Sequence, residues 1–441
     1  MKRYLAIALM IISLTASISY ADSETMPLSL RQCIDLALKN NVDMLISHAR
    51  ENQAKGEQMV LDADLLPQID AVASQERTWW ENVGALGFAG FGVIGPYNTF
   101  DARVMVSERI MDFSALAHAQ AGKIKWKASQ LQIELAAQQV ILATSTVYIQ
   151  ALGYEQELAT SYEDVRLAEH FLSLSQHQLD AGLASSVDVA SNQTQLAQEK
   201  AKQEELRLNV IKSELELKRL IKLPLSQEIE LSDHLNNAQM DLLKEDEAIN
   251  RASQNRIEMK IANADSDYTL TELKASQREY LPKIDVSGSY GETGINPDRD
   301  VSHAADAMVK ISLPIWEGNR INGEVKENKA LNDEQRFKAD DLNWKIEEDV
   351  RLSLATLVST RAQMDAEKKV QDFAQQELNL AQDRYSAGLG DNTQLIHAQV
   401  ALADSKDKFV QTQALYDQAQ LNYFAALGAP RNFNLSTIKD E

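Results

Sequence analysis

The sequence is short of residues that break helices. It has 17 glycines and 8 prolines in 441 residues, roughly half the usual share, which favours long uninterrupted helices. A single cysteine, Cys33, excludes an internal disulfide and leaves no Cys/His cluster for structural zinc. Basic residues are also scarce, 44 against 65 acidic ones for a net charge of −21. That balance repels phosphate backbones and removes the main electrostatic term of nucleic-acid binding. No GxGxxG, P-loop, HExxH or nucleophile-elbow pattern occurs, so neither an enzyme nor a cofactor is expected. The seven histidines are scattered; His170 and His177 share a helix face but lie two turns apart, too far to chelate one ion. With 44% hydrophobic and 25% charged residues the chain is not disordered and can bury a long apolar seam.

The first residues read as an address. Lys2 and Arg3 precede an apolar run from Leu5 to Leu14, and Ser19-Tyr20-Ala21 supplies a small-residue cleavage site, so residues 1–21 are expected to be a signal peptide. Its removal takes the net charge to −23. No later stretch holds 18 consecutive apolar residues. Either a soluble periplasmic protein or an outer-membrane β-barrel therefore remains.

The remainder reads as two copies of one pattern, 22–228 and 229–441. Leu36 to Met44 lies over Arg251 to Met259 at offset 215, as Leu66-Pro67-Gln68-Ile69-Asp70 does over Leu281-Pro282-Lys283-Ile284-Asp285. Farther on, Ile110-Met111-Asp112 matches Ile315-Trp316-Glu317 at 205, and Asp180-Ala181-Gly182-Leu183 matches Ser386-Ala387-Gly388-Leu389 at 206. The first copy thus carries ten extra residues between Asp70 and Ile110, placed in a loop around the apolar stretch Gly84 to Gly92.

Each copy contains a very long helix. Ala151, Leu158, Val165, Leu172 and Leu179 fall at strict sevens, and so do Leu357, Met364, Gln371, Leu378 and Tyr385. After the Gly182 and Gly388 turns, sevens resume at Val189, Leu196, Gln203, Val210 and Leu217, and at Leu395, Leu402, Phe409, Tyr416 and Tyr423. Sustained heptads predict pairs of antiparallel coiled-coil helices folded back at those glycines. Asp112 to Asp180 alone would span about 100 Å at ~1.5 Å per residue. A shorter helix over Leu28 to Leu65, with its counterpart in the second copy, is expected to stack on the return helix. Between helices the alternation changes to two. Ile69, Ala71 and Ala73 make an apolar face, matched by Ala102, Val104, Val106 and by Ile284, Val286, Ala307, Val309, Ile311. Pro67 and Pro282 mark the change from helix to strand. That gives one hairpin per copy and four strands per chain, too few to enclose a lumen alone.

Across the mature chain these features resemble the TolC-like outer-membrane efflux protein family. The most specific are the exit Leu313-Pro314-Ile315-Trp316-Glu317-Gly318 and the run Arg384-Tyr385-Ser386-Ala387-Gly388-Leu389 followed by Ala398-Gln399. The resemblance implies a homotrimer whose twelve-stranded outer-membrane barrel continues into a helical periplasmic tunnel. It implies a role as exit duct of an efflux or type I secretion system, with a periplasmic adaptor, an inner-membrane transporter and outer-membrane lipid as partners. A soluble periplasmic scaffold or adaptor is the competing reading. By the same resemblance, Ala181, Gly182, Leu183, Ala387, Gly388 and Leu389 are the tips that an adaptor would grip. Thr393, Gln394 and His397 would narrow the tunnel, with Gln394 and His397 standing where family members commonly carry aspartates. Imidazole gains charge in mild acid, so three copies of His397 would then repel one another; the other reading packs His397 between helices.

Overall fold

The computed structural model describes residues 25–80, 94–235 and 240–435. The expected signal peptide and the Gly84 to Gly92 insertion lie outside them. The elements are β1 (Met26–Leu28), α1 (Leu30–Asn40), α2 (Val42–Ala63), β2 (Gln68–Trp80), β3 (Ile94–Met111), α3 (Phe113–Asp180), α4 (Ser186–Ile221), β4 (Ile229–Leu231), α5 (Glu245–Asn255), α6 (Ile257–Arg278), β5 (Lys283–Gly294), β6 (Ser302–Ser312), α7 (Arg320–Ser386) and α8 (Asn392–Ala426). The order of two short helices, hairpin, long helix and return helix occurs twice. The two long helices run for 68 and 67 residues. The chain divides into two compact units, Val42–Ala137 with Glu245–Arg351, and the segment ending at Asn41 with Gln138–Lys244 and the segment from Leu352 onward.

The first unit holds a four-stranded antiparallel sheet in the order β2-β3-β5-β6. Its register aligns Ile69 with Val106 and Gly288, Ala71 with Val104 and Tyr290, and Val286 with Val309. Directly paired residues share a face, so one face is apolar and exposed, as the alternation predicts. The other carries Asp70, Asp101, Arg103, Asp285 and Asp306. β2 and β3, with 13 and 18 residues, outrun β5 and β6, with 12 and 11. Part of the first copy's extra length therefore extends strands. At the sheet's helical end Asp112 starts α3: its Oδ1 accepts from the backbone N–H groups of Ser114 and Ala115, both at 3.0 Å, and its Oδ2 pairs with Lys283 at 3.2 Å.

Gly291 is needed where it stands. A Cβ there would lie 2.0 Å from the Ala102 carbonyl oxygen and 2.6 Å from Arg103 Cα. The Arg103 side chain uses that space to reach Asp101 at 2.7 Å and Asp306 at 3.2 Å. We expect Gly291→Val to abolish accumulation of folded protein in outer-membrane fractions. Gly56→Ala, on an exposed stretch of α2 with nothing within 4 Å, should leave it unchanged or gain ~0.5–1 kcal/mol. Normal yields of both would show that β3 and β5 do not approach this closely.

The second unit contains features that the sequence reading missed. β1 and β4 pair in parallel, Met26 with Ile229 and Leu28 with Leu231. Asp233 fixes this corner, accepting from the Leu30 N–H at 2.7 Å and from the Tyr148 hydroxyl at 2.9 Å. Burial, and then the charge of Asp233, pushes the Cys33 thiol up to about 12, leaving it an inert apolar group. The helix expected over Leu28 to Leu65 is two helices. Asn41 leaves helical geometry at φ −63, ψ 142, and its side chain donates to the Leu220 carbonyl at 3.1 Å. In the other unit Arg256 breaks the chain between α5 and α6 in the same way, at φ −58, ψ 123, while its guanidinium reaches Glu258 and Asp349, each at 2.8 Å.

Candidate functional site

The site lies at the hairpin ends of the second unit, where α3 turns into α4 and α7 into α8. Both turns are built alike. Gly182 and Gly388 sit at φ +72 and +70, the left-handed stop that glycine adopts without steric cost. The Gly182 N–H donates to Leu179 O at 3.0 Å and the Leu183 N–H to Gln178 O at 2.8 Å. Gly388 N–H to Tyr385 O at 3.0 Å and Leu389 N–H to Arg384 O at 2.9 Å repeat the pattern. In such a stop the residue after the glycine usually packs back on its own helix. Here Leu183 and Leu389 are 75% and 77% exposed, and Ala181 and Ala387 are exposed beside them.

Each return helix is capped at once. The Ser185 hydroxyl accepts from the Asp188 N–H at 3.2 Å and the Asp188 carboxylate from the Ser185 N–H at 2.7 Å, a reciprocal cap. Asp391 Oδ1 accepts from the Thr393 N–H at 3.1 Å. The two tips are tied together. Gln178 Nε2 donates to Tyr385 O at 3.2 Å, and Asn192 Nδ2 donates to Asn392 Oδ1 at 2.9 Å, both asparagines being buried. Behind them Phe171, Ala374, Leu378, Tyr385, Leu395, Ala398 and Leu402 form one apolar cluster. Thr393, Gln394 and His397 are exposed on α8, while Leu395, Ala398 and Leu402 on the opposite side are buried. The structure thus places all three on one open face, and His397 is not packed between helices of this chain.

Farther from the tips the seam becomes polar. Between Glu157 and Ser175 of α3 the buried positions are Glu157, Ser161, Asp164, Val165, Ala168, Phe171 and Ser175; of the expected heptad Ala151 and Val165 are buried, Leu158 and Leu172 are half-buried and Leu179 is exposed. On α4 the expected Val210 and Leu217 are buried, while Asn192, Gln195, Glu199 and Leu206 take the place of Val189, Leu196 and Gln203. The heptads of α7 and α8 hold, with Leu357, Met364, Leu378, Tyr385, Leu395, Leu402, Tyr416 and Tyr423 buried. A charge cluster fills this polar stretch. Lys406 reaches Asp164 Oδ1 at 2.8 Å, Lys202 pairs with Asp407, and Gln195 donates to Glu199 at 2.7 Å. Asp164 Oδ2 and Glu199 Oε2 have no hydrogen-bond partner. Four carboxylates thus face two ammonium groups. Burial is the leading cause that raises the pKa of Glu157, Glu199 and Asp407. Burial opposes the charge on Lys202 as well, but its hydrogen bond to Asp407 and the surrounding carboxylates outweigh it and leave its pKa raised. Sequence spacing could have found this cluster only by following every heptad phase, since the apolar phase draws the eye one residue away.

Among the described residues no group of three or more His, Cys, Asp or Glu side chains is placed to hold a metal ion. The arrangement is a pair of exposed glycine-centred tips at the end of a helical wall.

Known proteins agree with that description. The chain matches the outer membrane efflux protein family over residues 33–221 and 248–429. It is 21% identical to the pyoverdine export outer membrane protein OpmQ of Pseudomonas aeruginosa, over 89% of this chain and 83% of that protein. It is likewise 21% identical to the toluene efflux pump outer membrane protein TtgC of Pseudomonas putida, over 91% of this chain and 83% of that protein. The solved Campylobacter jejuni CmeC outer membrane channel superposes with a TM-score of 0.78 at 20% identity, covering 92% of this chain and 86% of that one. The members of this family are transport conduits rather than enzymes. With its tied glycine tips, its paired long helices and its one-sided apolar sheet, the chain belongs to the outer membrane efflux protein family and has the fold of a TolC-like outer-membrane channel.

Proposed function

We propose that three copies of this chain form the exit duct of a tripartite system, taking substrate from an inner-membrane transporter through a periplasmic adaptor. The observation that carries this reading is the sheet. Its apolar face is exposed, and its end strands β2 and β6 each pair on one side only within the chain. Three such sheets joined edge to edge give twelve strands with apolar residues outward and charges inward, which removes the unpaired edges. The repeated element order fits a duplication with halves 22–228 and 229–441. Ala181, Gly182, Leu183, Ala387, Gly388 and Leu389 are the adaptor contact. The two named relatives export different compounds, so cargo choice is assigned to the transporter rather than to the duct.

Thr393, Gln394 and His397 form the narrowest ring of this duct. Single-channel recording in planar bilayers tests the reading. We expect a conducting pore, and His397→Ala, which removes the imidazole side chains from the ring, should raise its conductance. A pore whose conductance is unchanged in His397→Ala would overturn the ring, and absence of any pore would overturn the duct.

A further inference from the structure

In the sheet-bearing unit, the two helices joined to the end strands each keep an apolar face that the chain leaves uncovered. α2 leads into β2, and α7 follows β6. The inward side of α2 carries Met44, Ser47, Ala54 and Gln58, and Glu51 and Glu57 reach Trp126 and Lys125 of α3 at 2.6 and 2.7 Å. With ~3.6 residues per turn, the opposite face carries Ala49, Gly56 and Ala63 at intervals of seven, flanked by Leu45, Met59 and Val60, all exposed. α7 is built the same way. Ile321, Asn332, Ile346 and Val350 are buried, and Asn332 Nδ2 donates to Thr269 on α6 at 3.0 Å. Opposite them Gly323, Ala330, Phe337 and Trp344 again fall at sevens, with Phe337 71% exposed and Trp344 73%. Two aromatic rings left uncovered on one helix face mark a contact surface.

The sheet order decides which faces meet. β2-β3-β5-β6 sets the helices side by side as α2, α3, α6 and α7, and His118 on α3 pairs with Glu272 on α6 at 3.0 Å. α2 and α7 are therefore the outermost helices of the unit, as β2 and β6 are its outermost strands. Where β6 of one copy meets β2 of the next, α7 of the first lies beside α2 of the second and antiparallel to it. The ties from Glu57 to Lys125, His118 to Glu272 and Thr269 to Asn332 put the Phe337 region of α7 at about the same distance from the sheet as the middle of α2. Shape and charge agree with this pairing. α2 offers a row of small residues between larger aliphatic ones, and α7 offers large side chains at the same seven-residue interval, as knobs for those holes. Polar positions beside the α7 knobs are acidic at Asp333, Asp340 and Asp341, whereas those within the α2 row are Asn52 and Gln53. Two α7 faces would set like charges against each other, and α7 against α2 does not.

We propose that Phe337 and Trp344 of α7 insert into the Ala49, Gly56 and Ala63 row on α2 of a second copy of this chain, forming a helical seam that continues the strand pairing away from the sheet. The inference rests on the three-copy reading of the sheet. It goes further in naming the helix faces that close the wall between copies. The contact is heterologous, so each copy gives its aromatic knobs to one neighbour and receives those of the other, which closes a ring of three. Gly56→Ala keeps the row small and is compatible with this seam.

The test is disulfide trapping of the full chain in outer-membrane fractions, in a Cys33→Ala background that leaves no other thiol. Phe337→Cys is combined in turn with Ala49→Cys, Gly56→Cys and Ala63→Cys. As a control it is combined with Lys55→Cys, a position turned towards the Trp126 ring of α3. Within one chain α3 and α6 stand between the α2 row and position 337, so a disulfide between them joins two copies. After oxidation, at least one of the three row pairs should convert most of the chain into covalent dimers and trimers on non-reducing denaturing gels. The Lys55 pair and each single cysteine should give several-fold less. Threefold particles that yield no covalent product from any of the three pairs would overturn the seam and leave the shared barrel standing. Single chains in the wild type would overturn the three-copy reading itself.

Discussion

Gly182→Trp and Gly388→Trp should each abolish export while the protein still folds and reaches the outer membrane. Both glycines have positive φ, and nothing lies within 4 Å of a Cβ built on either. The new Cβ therefore meets no neighbour in the chain, and the backbone cost is left-handed strain, ~1–2 kcal/mol. That is a modest share of the stability of a long helical seam. What changes is the outer surface: an indole stands between Ala181 and Leu183, or between Ala387 and Leu389, where two small groups would let a partner's helices approach closely. The check is export by cells carrying each variant, alongside the amount of folded protein in their outer membranes. Normal export by both variants would remove the tips from the adaptor contact.

Lys406→Met should unfold the helical seam far more readily than any substitution of an exposed lysine. The Asp164 carboxylate is 3% exposed and Lys406 is its ion-pair partner. Deleting one partner of a buried pair strands the other charge, which costs about 3–5 kcal/mol. Lys200 pairs with Glu169 at 2.9 Å, but both side chains are about half exposed, so Lys200→Met should cost under ~1 kcal/mol. Denaturant unfolding of the two variants compares these losses directly; equal small losses would mean that water reaches the cluster. Glu199→Gln should act in the opposite direction. The raised pKa of Glu199 means that folding favours its protonated form. Its contribution to stability is therefore fully present below the ordinary 4.5 and is lost as pH rises through the folded value. The wild-type seam should weaken from mild acid towards neutrality. Glu199→Gln keeps an acceptor for Gln195 while removing the charge, so it should flatten that dependence and be at least as stable at neutral pH.

Much of the fold was legible because its signals are periodic and long. The alternation of Ile69, Ala71 and Ala73 survives as an apolar sheet face, and Gly182 and Gly388 turn the chain where the heptads break. Leu357, Met364 and Leu378 mark the seam of α7 because that seam is apolar. The α3 seam was read only in part: Ala151 and Val165 are buried as expected, but other buried positions are Glu157, Ser161, Asp164 and Ser175, which hydropathy assigns to solvent. Helix breaks at Asn41 and Arg256 were hidden for another reason. Each depends on a hydrogen bond or ion pair to a distant residue, Leu220 or Asp349, that local propensity does not contain. β1 and β4 are three residues each, too short for any period to register. At the site, the tips could be read from glycine placement, while the Asn192–Asn392 tie and the Asp164–Lys406 pair required the fold.

Electron microscopy of the protein extracted in detergent from outer-membrane fractions is the most direct measurement. Particles with threefold symmetry, at least about 100 Å long to hold a 68-residue helix at ~1.5 Å per residue, and with a detergent belt at one end only, are the expected result. Single chains, or particles without a belt, would contradict a duct built from three shared sheets.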